Sequence, residues 1–355
     1  MKSKPIIFII FCFCFLISST KAEVKLISNP KDIRFDTIPY MVYNPNFEKA
    51  YNELADMLDG KIPYSLKRAE YLVEYAHYDG KIDYAKFCHD IDSIVKVLNY
   101  FIDINNIRQY RTAPNFAIFE YFTKPSMMNG NRKFSYDFDD AIGEKDFSVY
   151  MASNLIKTHK GQCFSLPMLY KILCDELGSQ SAFALAPMHM YIKHIGEDGK
   201  WVNIELTNGT FSSDEWIMES MHVTPEAKKN GVYMVALTDM ENVALLINLL
   251  SNVYLHKYDS YDYFVERGVN KVLENFPNLC ETLVLKHNLL RERGVTYLDL
   301  FGPDGSHFLD NDYEEYQRVS IRLAELGFYD YSLEDYYERM EEGRRYTQEH
   351  EASYE

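Results

Sequence analysis

The chain has 355 residues, with 53 Asp and Glu against 37 Lys and Arg, a formal net charge of −16, and 29 Tyr and 22 Phe. That acidity argues against nucleic acid or an anionic bilayer surface as a partner, because both reward positive charge. The length allows one large domain or a few small ones, with a core big enough to fold without a disulfide framework.

Residues 1–22 read as a secretory signal. Lys2 and Lys4 precede an almost wholly apolar run from Pro5 to Ile17, and Thr20 and Ala22 supply the small residues for a cut before Glu23. The run is short of the ~20 residues a spanning helix needs. The expectation is an exported chain, periplasmic or extracellular, with no stable membrane insertion after cleavage. Cleavage would remove three lysines, making the chain more acidic, together with Cys12 and Cys14. Cys88, Cys163, Cys174 and Cys280 remain. They are scattered and form no Cys-x-x-Cys pair, which argues against a zinc ribbon or thioredoxin-type chemistry. No cofactor or metal is expected, and a free reactive thiol is compatible with this spacing.

Residues 23–145 read as a mostly helical region. Tyr64 to Lys67 opens a periodic segment with Ala69, Leu72, Val73 and Ala76 on one face, broken at Asp79-Gly80. Tyr84, Phe87, Cys88, Ile91, Val95, Leu98 and Phe101 follow at helical spacing. Cys88 and His89 are chain neighbours, which do not face each other on a helix, so Cys88 reads as core. Asn115 to Phe122 is a third helix, ended by Lys124-Pro125.

Residues 146–230 carry the chemistry. After an apolar helix from Val149 to Ile156 come Gly161-Gln162-Cys163 and the stripe Leu166, Leu169, Tyr170, Leu173 and Leu177, closed by Gly178. Cys163 is expected to open this helix, whose N-terminus favours a thiolate. Gly161 would let a substrate backbone come close. Two strands are expected next, Ala182 to Lys193 and Trp201 to Thr207, joined by the turn at residues 196–199. Pairing Lys193 with Trp201 also pairs Tyr191 with Asn203 and His189 with Glu205, within hydrogen-bonding reach on one face. A cation–π contact of Lys193 with Trp201 would follow.

Cys163 is thus the candidate nucleophile, His189 its base and Glu205 the group that orients the base. The Cys163 N–H is the first candidate donor to an oxyanion and the Gln162 amide the second. Gly161, Tyr191 and Asn203 complete the candidate substrate-binding set. Cys174, deep in the apolar part of its helix, reads as inert packing.

Residues 231–355 read as a second helical region. Thr238 to Glu241 is a capping box opening one helix, and Asp262 to Asn275 is the next, the two resembling a degenerate tetratricopeptide-type pair. A loop is expected from Gly294 to Asp310, helices at Asp312–Leu326 and Leu333–Arg345, and a frayed polar tail.

The block from Asp146 to Thr210 resembles the transglutaminase-like superfamily of papain-like cysteine enzymes. Gly161-Gln162-Cys163 matches the nucleophile motif of the animal transglutaminases. Pro187-Met188-His189 and Asn203-Ile204-Glu205 are closer to bacterial members with a tetratricopeptide-like C-terminal region. The resemblance implies an α+β fold, with a nucleophile helix packed on an antiparallel sheet and flanked by helical regions. It assigns Cys163, His189 and Glu205 to the three catalytic positions. Glu205 departs from the usual Asp, Tyr191 stands where many members have Trp, and the animal enzymes' tryptophan donor and calcium sites have no counterpart. The leading expectation is a cysteine-dependent amide hydrolase acting on a peptide or protein, cell-wall peptide included. Acyl transfer to amines is one alternative. The other is a non-catalytic module with a relict site, binding a protein or glycan through the C-terminal helices.

Overall fold

A computed structural model describes residues 43–302, 310–329 and 332–352. The signal-like residues 1–22, with Cys12 and Cys14, lie outside the described residues. The chain is α+β, rich in helix.

The first helices start where their caps dictate. Helix α1 (Pro45–Leu58) has Pro at its first position and the Asn44 side chain accepting from the Asn46 N–H. Ser65 caps α2 (Leu66–His77) and Asp83 caps α3 (Tyr84–Ile104) in the same manner. Helix α4 spans Ala113–Thr123. The apolar stripes read from sequence are the buried faces: Ala69, Leu72, Val73 and Ala76 on α2, and Phe87, Ile91 and Leu98 on α3. Cys88 is partly exposed rather than core.

Residues 146–230 are built on a four-stranded antiparallel meander. The single strand expected from Ala182 to Lys193 is two, β3 (Ser181–Ala186) and β4 (His189–Ile195), and this corrects the sequence reading. Between them Pro187-Met188 turns the chain, with Met188 in the left-handed region at φ 57°. Both strands are buried on both faces, so the sequence runs on as one near-continuous apolar stretch with no alternation whose change of phase would mark the turn. Strands β5 (Trp201–Glu205) and β6 (Thr210–Ser212) complete the order β3-β4-β5-β6. Helix α6 (Ser165–Glu176) packs on β3 and β4. The two residues of β1 (Ser135–Tyr136) bridge in parallel to β2 (Lys160–Gly161), with α5 (Ala152–Thr158) before β2. The short α7 (Asp214–Ser220) and α8 (Pro225–Lys229) follow the sheet.

Helix α9 (Asp239–Tyr258) opens at the expected Thr238–Glu241 capping box and is buried continuously from Asn242 to Leu255. It packs on α1, α2, α10 (Tyr263–Asn275) and α11 (Cys280–Phe301), so the first and last helical regions share one core. The loop expected from Gly294 is helix as far as Phe301. A Cβ at Gly294 would meet nothing, and packing of α11 on its neighbours outweighs the ~1 kcal/mol a helical glycine costs. Helix α12 spans Asp310–Leu326. Helix α13 runs from Leu333 to Ala352, past the expected end at Arg345, because Gln, Glu and Ala are good helix formers.

Candidate active site

Cys163 sits in a turn held by its neighbours. Helix α5 ends at His159, whose positive φ of 60° turns the chain while its ring stacks on Phe134. Gly161 then bridges Tyr136. The Ser165 hydroxyl accepts from the Gln162 N–H at 3.1 Å and donates to the Val149 carbonyl at 2.7 Å. Gln162 Oε1 accepts from the Phe164 N–H at 2.7 Å. Helix α6 is regular from Ser165, and the Leu166 N–H already donates to the Gln162 carbonyl at 3.1 Å, so Cys163 lies in the turn that opens it. Among the described residues no group accepts from the Cys163 N–H.

Gly161 is glycine for a different reason than substrate approach. A Cβ there would lie 2.5 Å from Ser165 Oγ and 2.9 Å from Leu155 Cδ1. The missing side chain makes room for the serine that ties the turn.

His189 is the first residue of β4, 5% exposed, and its Nε2 lies 2.5 Å from Glu205 Oε2. The pair forms in a register two residues away from the expected one. Lys193 faces Asn203, and Ile195 faces Trp201. A two-residue shift keeps every side chain on its face, so Glu205 reaches His189 diagonally. The expected Lys193–Trp201 contact is absent: Trp201 is exposed, while Lys193 donates to the Met234 carbonyl and lies 5.9 Å from the Tyr191 ring. The other Glu205 oxygen accepts from the Thr207 N–H at 2.8 Å and hydroxyl at 2.7 Å.

Electrostatics favour charge on this pair. Burial opposes a charged His189, yet the Glu205 carboxylate and the adjacent Cys163 thiol outweigh it and push the imidazole up to about 9. Burial likewise opposes charge on Glu205, but His189 and Thr207 hold its carboxyl below the ordinary range. With Nε2 committed to Glu205, Nδ1 is the nitrogen left for the sulfur. The thiol also points at the Met188 carbonyl, 3.8 Å away. Cys174 and Cys280 are buried, and burial pushes the Cys174 thiol up to about 12.

A cleft of about 560 Å³ opens beside the pair, with His189, Tyr136, Trp216, Glu219, Glu338 and Arg339 in its walls. Of the remaining candidates, none lines it. Tyr191 is buried, its ring parallel to that of His189 at 6.5 Å. Asn203 donates to the Ser212 carbonyl and to Asp214. Gln162 is fully buried and makes the Cys163 turn.

Sequence reasoning missed Ser165, Thr207, Tyr136 and the whole of α13 at the cleft. Gln-x-x-Ser before a helix and Glu-x-Thr after a strand are turn-forming patterns that signal the first two. Nothing local signals the others. Among the described residues no three His, Cys, Asp or Glu side chains converge as metal ligands, and no helix is long and apolar enough to cross a membrane. Compared with known proteins, the chain matches no family model, no curated protein and no solved structure.

Proposed function

We propose that the protein is an exported cysteine-dependent amide hydrolase, a peptidase or amidase of the transglutaminase-like type. The observation that carries this reading is the 2.5 Å contact of His189 Nε2 with the buried Glu205 carboxylate, beside the Cys163 thiol. In the reaction Cys163 passes its proton to His189 and its sulfur attacks the amide carbonyl carbon. Collapse of the tetrahedral adduct breaks the C–N bond, and the amine leaves with the proton from His189. Water, deprotonated by His189, then hydrolyses the thioester and restores the thiol. Glu205 fixes the ring and stabilises its charged form throughout. The free Cys163 N–H is the first donor to the oxyanion. The substrate is a peptide or protein, cell-wall peptide included.

A second reading, transfer of the acyl group to an amine, is favoured by one feature. The carboxylates of Glu219 and Glu338 line the cleft where an ammonium-bearing acceptor would approach. Incorporation of a labelled primary amine into a glutamine-bearing protein distinguishes it from hydrolysis.

The first test is alkylation by iodoacetamide near neutral pH. Cys163 is expected to react faster than Cys88, Cys174 and Cys280, and Cys163→Ala to abolish peptide-amide cleavage. Equal rates at all four thiols, or no labelling, would sink the reading.

A further inference from the structure

Helix α13 is long for the little it buries. Among its described side chains Tyr336 alone is buried, whereas α9, of equal length, buries an unbroken run. The Tyr336 hydroxyl donates to the Ala141 carbonyl at 3.3 Å and lies 3.1 Å from the Tyr136 hydroxyl, which donates to it. Tyr136 faces Gly161 across the parallel bridge, two residues from the nucleophile. One turn along α13, Arg339 donates to the Pro187 and Met188 carbonyls, each at 3.4 Å. Met188 is the residue whose carbonyl the Cys163 thiol faces, and it precedes His189. Arg344 donates to the Phe138 carbonyl at 2.8 Å.

The helix therefore spans the mouth between the segment beside Cys163 and the turn that carries His189, and is pinned to both. Burial raises both phenols, with Tyr336 and then Cys163 adding to the rise at Tyr136, and Cys163 adding to it at Tyr336. The open cleft reaches His189 and Tyr136, but Cys163 does not line it. Beside the Tyr336 ring, the attachments include hydrogen bonds to backbone carbonyls, the partly buried Met340, the Arg344–Asp139 ion pair and Arg344 over the Phe138 ring. Such a docking opens at far lower cost than the core does.

We propose that α13 is an autoinhibitory strap: Tyr336 seated on Tyr136, with Arg339 on the Pro187-Met188 turn, narrows the way from the cleft to the partly exposed Cys163, and a peptide reaches the sulfur when the strap lifts. This rests on reading Cys163, His189 and Glu205 as an acyl-transfer site. The strap is a reversible element whose equilibrium sets how much of the enzyme is open.

The test uses the full chain and measures access before turnover. In the Tyr336→Ala, Arg339→Ala double variant, iodoacetamide is expected to alkylate Cys163 at least tenfold faster than in the parent, with Cys174 and Cys280 still protected. Arg344→Ala, which removes hydrogen bonds at the margin and no core side chain, is expected to give two- to fivefold. Parent-like Cys163 labelling in both variants overturns the strap. If the double variant exposes Cys174 and Cys280, Arg344→Ala decides alone: faster Cys163 labelling supports the strap, and an unchanged rate overturns it. Faster labelling with no cleavage of any peptide amide leaves the strap standing and removes the hydrolase reading. Unchanged labelling with normal cleavage does the reverse.

Discussion

Glu205 meets His189 Nε2 at 2.5 Å from a diagonal position, in a hairpin whose register sets Ile192 against Ile204 and so carries Glu205 toward Tyr191. Diagonal neighbours stand about 7–8 Å apart, against roughly 4.5–5.5 Å for residues directly opposite. The extra methylene of Glu over Asp, one C–C bond of about 1.5 Å, covers part of that difference. The longer carboxylate is thus suited to the diagonal register.

Glu205→Asp is accordingly not a conservative change here. The shorter carboxylate falls short of Nε2, the imidazolium loses its partner, and alkylation of Cys163 at pH 6 is expected to slow by about tenfold or more. Glu205→Gln, which keeps length and loses charge, is expected to cost turnover on the order of 10³-fold or more. Parent-like alkylation in Glu205→Asp would mean that the diagonal contact does not matter.

The imidazole of His189 is expected to titrate near pH 9, with its NMR signal returning to or below 6.5 in Glu205→Gln. Stability follows with a definite sign. A base raised in the folded state stabilises fully below its unfolded value of 6.5, and the benefit fades as pH rises through about 9. Glu205, lowered from 4.5, stabilises above that value and loses its effect as pH falls below it. The parent should exceed Glu205→Gln most between pH 4.5 and 6.5, by up to roughly 3 kcal/mol. Denaturant melts of the two proteins showing a gap that does not narrow by pH 9 would contradict this.

The helices were legible in the sequence because caps and 3.6-residue stripes are local: Ser65, Asp83 and the Thr238–Glu241 box begin helices where read. The meeting of His189 with Glu205 was legible because strand pairing preserves faces, so a register error of two residues still left the two together. The register itself was not legible, because period-2 patterning is blind to a slip of two residues, and neither was the turn at Pro187-Met188, because β3 and β4 are buried on both faces and show no alternation. Tyr336 and Arg339 lie some 150–200 residues from the segments they touch, and no local pattern encodes that distance.

Two carboxylates brace the Cys163 segment from behind. Glu70 accepts from the Ala152 N–H and Glu74 from the Ser153 N–H and hydroxyl, so α2 caps α5, the helix leading to Cys163. Both are fully buried, and burial, with Glu74 beside it, drives Glu70 well above the carboxylate range, while burial lifts Glu74 to about 7. An acid raised in the fold stabilises below its unfolded value of 4.5, and the benefit is lost as pH rises through the folded one. Glu70→Gln keeps an acceptor for Ala152 and removes the like charge. It should match the parent in thermal stability at pH 5 and exceed it at pH 8, by about 1 kcal/mol or more. A parent advantage at pH 8 would show that Glu70 is needed as an anion.

The contact between Gly161 and Ser165 sets the last expectation. A Cβ at 161 would stand 2.5 Å from Ser165 Oγ, so Gly161→Ala displaces the hydroxyl that accepts from Gln162 and donates to Val149. Overpacking of this kind costs about 1–3 kcal/mol. Because the same hydroxyl shapes the turn on which Cys163 sits, alkylation of Cys163 should slow along with the loss of stability. Ser165→Ala in the same chain removes the nearer clash and should recover part of the stability. It should not recover the alkylation rate, since the Gln162 N–H is then without its acceptor. Full recovery of both in the double variant would separate Ser165 from the geometry of the nucleophile and leave it a packing residue alone.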